Sequence, residues 1–252
     1  MALLECENVT KNFGALSAVH TVSFALNRGE ALGMIGPNGA GKSTLFNCII
    51  GFYRPTQGRI VFNGRDVTGM KPHQICRLGM AKTSQTVEPF RAMTVFENVL
   101  VAALHGGQMR MAEAVQETAQ VLEFVGLERQ SDKLSGDISV PARRRLELAK
   151  ALATRAQVLL LDENMAGLNP SEIDEALELL RRIRESGKSM IVVEHIMRAV
   201  MGIADRIVVL NYGAKIAEGK PFEVMNDPQV IEAYLGKKEV SLAHGSDGRA
   251  HG

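Results

Sequence analysis

Nowhere in these 252 residues does an apolar run approach the ~20 residues a helix needs to cross a bilayer, so any tie to a membrane must run through a partner. The start, Met1-Ala-Leu-Leu-Glu-Cys-Glu, has neither a basic region nor a long apolar core, and it does not read as a secretory signal. An excess of one charge is missing too. Twenty-nine Lys and Arg stand against 28 Asp and Glu, a net charge of +1, and the only basic cluster is Arg143-Arg144-Arg145. A dedicated nucleic-acid binder would carry a basic excess or stripe, so nucleic acid is not expected as a partner. Cys6, Cys48 and Cys76 are odd in number and lack metal-ligand spacing, which points to buried thiols in a reducing, cytosolic compartment. No internal repeat is visible. What remains, 46% hydrophobic and 23% charged residues, suits one large or two small globular units.

Against that unremarkable background one stretch stands out. Gly36-Pro37-Asn38-Gly39-Ala40-Gly41-Lys42-Ser43-Thr44 fits the pattern G-x-x-x-x-G-K-[ST] at every fixed position, after an apolar run and before a helix start. Glycines at 36, 39 and 41 let successive backbone N–H groups point at a β-phosphate, where side chains would block the approach. The helix beginning near Lys42 adds its positive end, Lys42 supplies a mobile charge for the β- and γ-phosphates, and the Ser43 hydroxyl can ligate Mg²⁺. Farther on, Val158-Leu159-Leu160-Leu161-Asp162-Glu163 reads as a buried parallel strand whose end opens into a site. Asp162 is expected to hold Mg²⁺ through water and Glu163 to polarise an attacking water.

The order of elements is consistent with this. Residues 3–9, 21–26, 31–35 and 59–62 read as strands. From Thr94 the spacing turns helical, with helices expected over 111–125 and 142–153. Strand and helix then alternate over 158–162, 171–185, 190–194, 196–201 and 206–210, a βαβ signature that implies a parallel sheet. An added strand over 213–218 and two short helices over 221–235 follow. The segment 237–252 lacks apolar spacing and is expected to be a disordered tail.

On the phosphate loop, the Asp-Glu strand and the helical insert between them, residues 1–236 resemble the ATP-binding subunits of ABC transporters. The resemblance implies an α/β P-loop NTPase fold of the ABC type. Its mixed-sheet core would carry an N-terminal antiparallel β subdomain and a helical subdomain inserted over about 90–153. It also implies roles for residues that mean little alone. Gln85 stands where that family has a glutamine taken to touch Mg²⁺ and to sense the membrane subunit. His195, in Val192-Val-Glu-His-Ile-Met, stands at the histidine that contacts the γ-phosphate. Gly167-Leu168-Asn169-Pro170 looks like the loop following the catalytic carboxylate, and Phe13 looks like the aromatic that stacks on adenine.

Three phrases, Met93-Thr-Val-Phe-Glu-Asn-Val, Asp162-Glu-Asn-Met-Ala-Gly-Leu-Asn-Pro and Val230-Ile-Glu-Ala-Tyr-Leu-Gly, are closer to the branch serving branched-chain amino-acid importers. The lipopolysaccharide-export ATPases form the nearest rival branch. The implied function is ATP hydrolysis that powers a membrane importer, with ATP and Mg²⁺ as cofactors. ATPases of other ABC systems, for lipopolysaccharide export or for urea or aromatic-acid uptake, and a regulatory subunit of weak turnover are the alternatives. Implied partners are transmembrane permease subunits, a second ATP-binding subunit in a heterodimer or homodimer and, indirectly, a periplasmic solute-binding protein. The implied location is peripheral, on the cytoplasmic face of the inner membrane. The surface around residues 85–95, with Phe90 and Met93, is expected to receive a short permease helix.

The sequence departs from the family at its signature, L-S-G-G-Q before a basic helix. Anchored on Arg144-Arg145-Leu146-Glu147, the motif falls on Ile138-Ser139-Val140-Pro141-Ala142 and keeps only Ser139. Leu134-Ser135-Gly136-Asp137 is nearer in letters but lies four residues upstream and would aim Asp137 at a triphosphate. Arg143 to Arg145 are expected on a solvated face, with Arg143 paired to Glu147. Met197 and Met201 are expected as core or interface filler.

Overall fold

β1 (Ala2–Phe13) and β2 (Leu16–Asn27) form an antiparallel hairpin turned at Gly14, and β1 pairs on its other edge with β4 (Gln57–Phe62). β5 (Arg65–Asp66) completes a four-stranded antiparallel sheet in the order β2-β1-β4-β5. This computed structural model describes residues 2–83 and 89–235. A second, six-stranded sheet is built from β3 (Ala31–Ile35), β6 (Met80–Lys82), β7 (Val158–Asp162), β8 (Ser189–Val193), β9 (Arg206–Asn211) and β10 (Ala214–Gly219). Its order is β10-β9-β3-β8-β7-β6, parallel throughout except for β10 on the edge.

Alternation along the strands divides the interior. β3, β7 and β8 are buried at every position, as parallel strands covered on both faces must be. Leu160, Ile191 and Val193 face the antiparallel sheet across α1 (Lys42–Ile49), where Leu45, Phe46 and Ile49 pack against Leu4, Ile60 and Phe62. Leu159, Leu161, Met190 and Val192 point the other way, toward α6 (Pro170–Glu185) and the helical insert. That insert comprises α3 (Val95–His105), α4 (Met111–Val125) and α5 (Val140–Ala153), whose Val99, Val121, Leu122 and Leu146 join the same core. Thr94 and Asn169 start α3 and α6 with reciprocal caps to Glu97 and Glu172, so both helix entries are written locally.

Several boundaries differ from expectation. β1 and β2 run four and five residues longer at the ends where they meet, because hairpin pairing extends them past their apolar stretches, and this brings Phe13 onto a strand. α2 (Pro72–Leu78) and β6 lacked a sequence signal; the first is seven residues long and buries only Ile75, too little for a periodic pattern. α5 begins two residues early because Ser139 caps it and Pro141 occupies the first turn, where a missing N–H costs no helical bond. α7 (Met197–Ile203), α8 (Pro221–Met225) and α9 (Pro228–Leu235) follow the expected order. Met197 packs partly buried, whereas Met201 is exposed on α7 rather than serving as core filler. Among the described residues no helix is long and apolar enough to cross a membrane.

Candidate functional site

The phosphate-loop pattern folds as a tight turn between β3 and α1. Gly36, Gly39 and Gly41 all have positive φ (150°, 79° and 99°), a region glycine enters without strain. The structure refines why they are glycines. A Cβ on Gly36 would stand 2.1 Å from the Leu210 carbonyl oxygen and one on Gly41 2.4 Å from that of Ala18, so those two are excluded by the protein's own backbone. Only at Gly39 would a Cβ meet open space. Gly41 caps α1, Lys42 is its first residue, and the Lys42 ammonium turns back to donate to the carbonyls of Gly36 (2.7 Å) and Pro37 (3.0 Å). Burial pulls the Lys42 pKa down, and the nearby Glu163 and Asp162 charges oppose that shift.

Beside the loop lies a cleft of about 360 Å³ lined by Phe13, Leu16, Ala18, the loop residues Asn38 to Thr44, Glu163 and His195. Its volume falls in the range of ligand pockets. Phe13 is held edge-to-face against Tyr53, ring centres 5.2 Å apart, and the Lys11 ammonium sits 4.9 Å from the Phe13 ring centre.

Sheet register brings the distant acidic and imidazole groups together. Asp162 pairs with Val193 across β7 and β8, and the Glu163 N–H donates to the Val193 carbonyl (2.9 Å). The residues just past these strand ends are therefore neighbours, and Glu163 Oε1 lies 2.7 Å from His195 Nε2. Parallel sheets collect ligand groups at such carboxyl ends. Glu163 adopts φ +52°, a strained value for a side-chain-bearing residue. Asp162 is buried; one of its oxygens pairs with Lys82 at 3.0 Å, and the other, Oδ1, has no hydrogen-bond partner among the described residues.

That orphaned acceptor and the hydroxyl of Ser43, which lines the cleft, are hard oxygen donors. They suit Mg²⁺, which takes few protein ligands and completes its shell with water and phosphate. No group of three or more His, Cys, Asp or Glu able to hold a metal occurs among the described residues, so an all-protein cage is not offered. Gln85 lies outside the described residues, as do the tail and its His244 and His251.

Glu194 carried no sequence signal of its own. It is buried beside Glu163, and its Oε1 accepts the Met165 N–H (2.8 Å), tying the strand end that carries His195 to the loop after Glu163. Burial pushes its pKa up to about 7; the Glu163 charge adds to this, while the Met165 N–H and Arg144 oppose it. Lys82 was also missed, because its pairing with Asp162 depends on β6 lying beside β7.

Around the altered signature, Ser139 is exposed at the start of α5 and its hydroxyl accepts the Ala142 N–H (3.4 Å). Ser135 is buried instead, donating to the Phe90 carbonyl (2.9 Å) and accepting from Asn98 (3.2 Å). The expected Arg143–Glu147 pair does not form. Arg143 donates to the carbonyls of Ile138 and Gly136, both at 3.0 Å, while Glu147 is buried and pairs with Lys150. Nor are the three arginines a solvated face: Arg144 donates to the Ala166 carbonyl (3.2 Å) and Arg145 pairs with Glu175 (2.5 Å). Packing of α5 against α6 and the loop before it supplied partners that local spacing could not reveal.

Two sheets around a glycine-rich loop, a helical insert and a cleft closed by an acidic strand end define an ATP-binding cassette. Residues 19–166 match the family model described as ABC transporter, and the chain belongs to that family as an ATP-binding, ATP-hydrolysing protein. Residues 214–240 match the model described as branched-chain amino acid ATP-binding cassette transporter. Among its relatives, the high-affinity branched-chain amino acid transport ATP-binding protein LivG of Salmonella typhimurium is 41% identical over 250 residues, covering 93% of this chain and 98% of the relative. BraF of Pseudomonas aeruginosa, described in the same words, is 40% identical over the same shares. A crystal structure of the ADP conformation of an ATP-binding cassette of an ABC transporter superposes with a TM-score of 0.87 at 32% identity, covering 94% of this chain and all of that one.

Proposed function

We propose that this chain hydrolyses ATP on the cytoplasmic face of a membrane to power a permease importing branched-chain or other hydrophobic amino acids. The observation that carries the reading is the convergence of the phosphate loop, Glu163 and His195 on one cleft. The solute class rests on the printed names of the relatives and on the model matched by residues 214–240.

In this reading ATP stacks its adenine on Phe13 and lays its phosphates along residues 36–44, and Lys42 exchanges the Gly36 and Pro37 carbonyls for β- and γ-phosphate oxygens. Ser43 and Asp162, with Gln85, would hold Mg²⁺, which when bound neutralises charge developing on the phosphates. Glu163 orients and polarises the attacking water, and His195 moves from Glu163 to donate to the γ-phosphate. A periplasmic protein would deliver the solute to the permease. Phe90 and Met93, both exposed, would meet the permease, on a segment held by Asn98 and Ser135 through the Phe90 backbone.

Ser139 would face the nucleotide of a second ATP-binding subunit. Of the first three residues of α5, Pro141 has no N–H and the N–H of Ala142 is taken by Ser139, so Val140 alone keeps an uncommitted N–H for a phosphate. A partner with an intact glycine signature would complete the cleft of this chain, which favours a heterodimer. The test is reconstitution of the chain with its permease and second subunit in vesicles. The reading predicts ATP-dependent leucine uptake that fails when this chain is omitted, and uptake unaffected by the omission would refute it.

A further inference from the structure

Glu194 is a carboxyl group 3% exposed to solvent, and the chemistry proposed for the cleft gives it no task. It directly follows β8, between Val193 and His195, and all three of these consecutive residues reach across to the segment that follows β7. The Val193 carbonyl accepts the Glu163 N–H (2.9 Å), Glu194 Oε1 accepts the Met165 N–H (2.8 Å), and His195 Nε2 meets Glu163 Oε1 (2.7 Å). Of the three contacts, the one made by Glu194 reaches past Glu163 and fixes the chain on its far side.

The backbone at Glu163 depends on being held. Its φ of +52° lies in the left-handed region, which a residue with a side chain keeps only where its surroundings impose it. On the N-terminal side the sheet imposes it, through Asp162 in register with Val193. On the C-terminal side the next residue contributes no such hold: Asn164 is buried, and neither polar atom of its side-chain amide has a hydrogen-bond partner among the described residues. The path of the chain after Glu163 is set by the Met165 N–H on Glu194, by a longer bond of 3.3 Å from the Ala166 N–H to the Glu163 carbonyl and, farther out, by Arg144 on the Ala166 carbonyl (3.2 Å).

We propose that Glu194 is a positioning residue for Glu163: by holding the Met165 N–H it keeps Glu163 in its left-handed conformation, with the carboxylate directed at His195 and the cleft. Glu194 does not itself line the cleft, so it acts through the backbone and not on the nucleotide. The property that matters is the reach of an acceptor oxygen, not its charge. This inference rests on the reading of Glu163 as the residue that polarises the attacking water.

The test sets Glu194→Asp against Glu194→Gln in the complex with permease and second subunit, with rates taken per nucleotide bound so that loss of folded protein does not count. Asp keeps the charge and loses the reach, whereas Gln keeps the reach and an acceptor oxygen and loses the charge. A misplacement of about 1 Å costs on the order of 100-fold in rate, so Glu194→Asp is expected to lower kcat by about 10- to 100-fold, with the KM for ATP and the Kd for a fluorescent ADP analogue unchanged. The conservative Glu194→Gln should lose no more than about twofold. Glu194→Asp should also add almost nothing to Glu163→Gln, because both act through the same carboxylate. Wild-type kcat in Glu194→Asp, or a loss in Glu194→Gln as large as that in Glu194→Asp, overturns the proposal. Glu163→Gln alone separates the two failures: if it releases phosphate at the wild-type rate, the reading of Glu163 falls and the inference with it. If it stalls while Glu194→Asp turns over normally, the inference alone falls.

Discussion

Glu163 Oε1 and His195 Nε2 lie 2.7 Å apart across 32 residues of sequence, each just beyond the end of a parallel strand. With a carboxylate on one side, the imidazole must carry its proton on Nε2, the nitrogen that would be offered to a γ-phosphate. The pair thus stores the histidine as a donor. In the proposed function, His195 is also the partner that Glu163 would exchange for water when nucleotide arrives.

Lys42→Ala should abolish nucleotide binding, because it removes the charge proposed to face the β- and γ-phosphates, along with the two bonds Lys42 makes to the loop carbonyls. Two charge-assisted hydrogen bonds lost predict affinity weaker by about 100-fold or more. Titration with a fluorescent ATP analogue measures it, and near-normal binding would contradict the assignment.

Glu194 makes stability depend on pH. Its pKa in the folded chain, about 7, stands above its ordinary 4.5, so the folded chain binds this proton more tightly than the unfolded one. Its contribution is therefore best at low pH and is lost as pH rises from 4.5 to about 7. Glu194→Gln keeps an acceptor for the Met165 N–H and removes the buried charge. It should raise the melting temperature by several degrees, about 5–10 °C, at pH 8 and leave it unchanged near pH 4. An equal shift at both pH values would show that charge is not the cause.

Much of this was legible in the sequence, and the exceptions share a cause. The bounds of β3, α4 and β7 match the expected residues, since each is written in a continuous apolar run or a clean helical period. The loop 36–44 was legible because phosphate geometry dictates residue types at fixed spacing. Lys82 beside Asp162, Glu194 beneath Met165 and Arg143 on the Ile138 carbonyl were not, because strand order and helix packing create those contacts.

The start of α5 predicts a partner preference. Replacing Val140 and Pro141 by glycine restores backbone N–H groups able to approach a phosphate closely, at some cost in helix propensity. The rate of ATP hydrolysis by the isolated, self-paired chain should rise by about tenfold, one charged hydrogen bond's worth. Rapid, cooperative hydrolysis by the unmodified chain alone would remove the case for a heterodimer.

Phe90 is exposed on a segment whose backbone Asn98 and Ser135 hold in place. Phe90→Asp should therefore leave fold and nucleotide binding intact while abolishing co-purification with the permease. A complex that survives the substitution moves the docking surface elsewhere.

The central claim is that Glu163 performs the chemistry at a cleft built by the phosphate loop. It is tested most directly by measuring ATP retention and phosphate release together in Glu163→Gln, in the complex with permease and second subunit. The account predicts that ATP stays bound, because Lys42 and the loop are untouched. Phosphate release should fall by about 100-fold or more, because the water loses its polarising carboxylate. Phosphate release at the wild-type rate, with ATP bound and consumed as before, would contradict it.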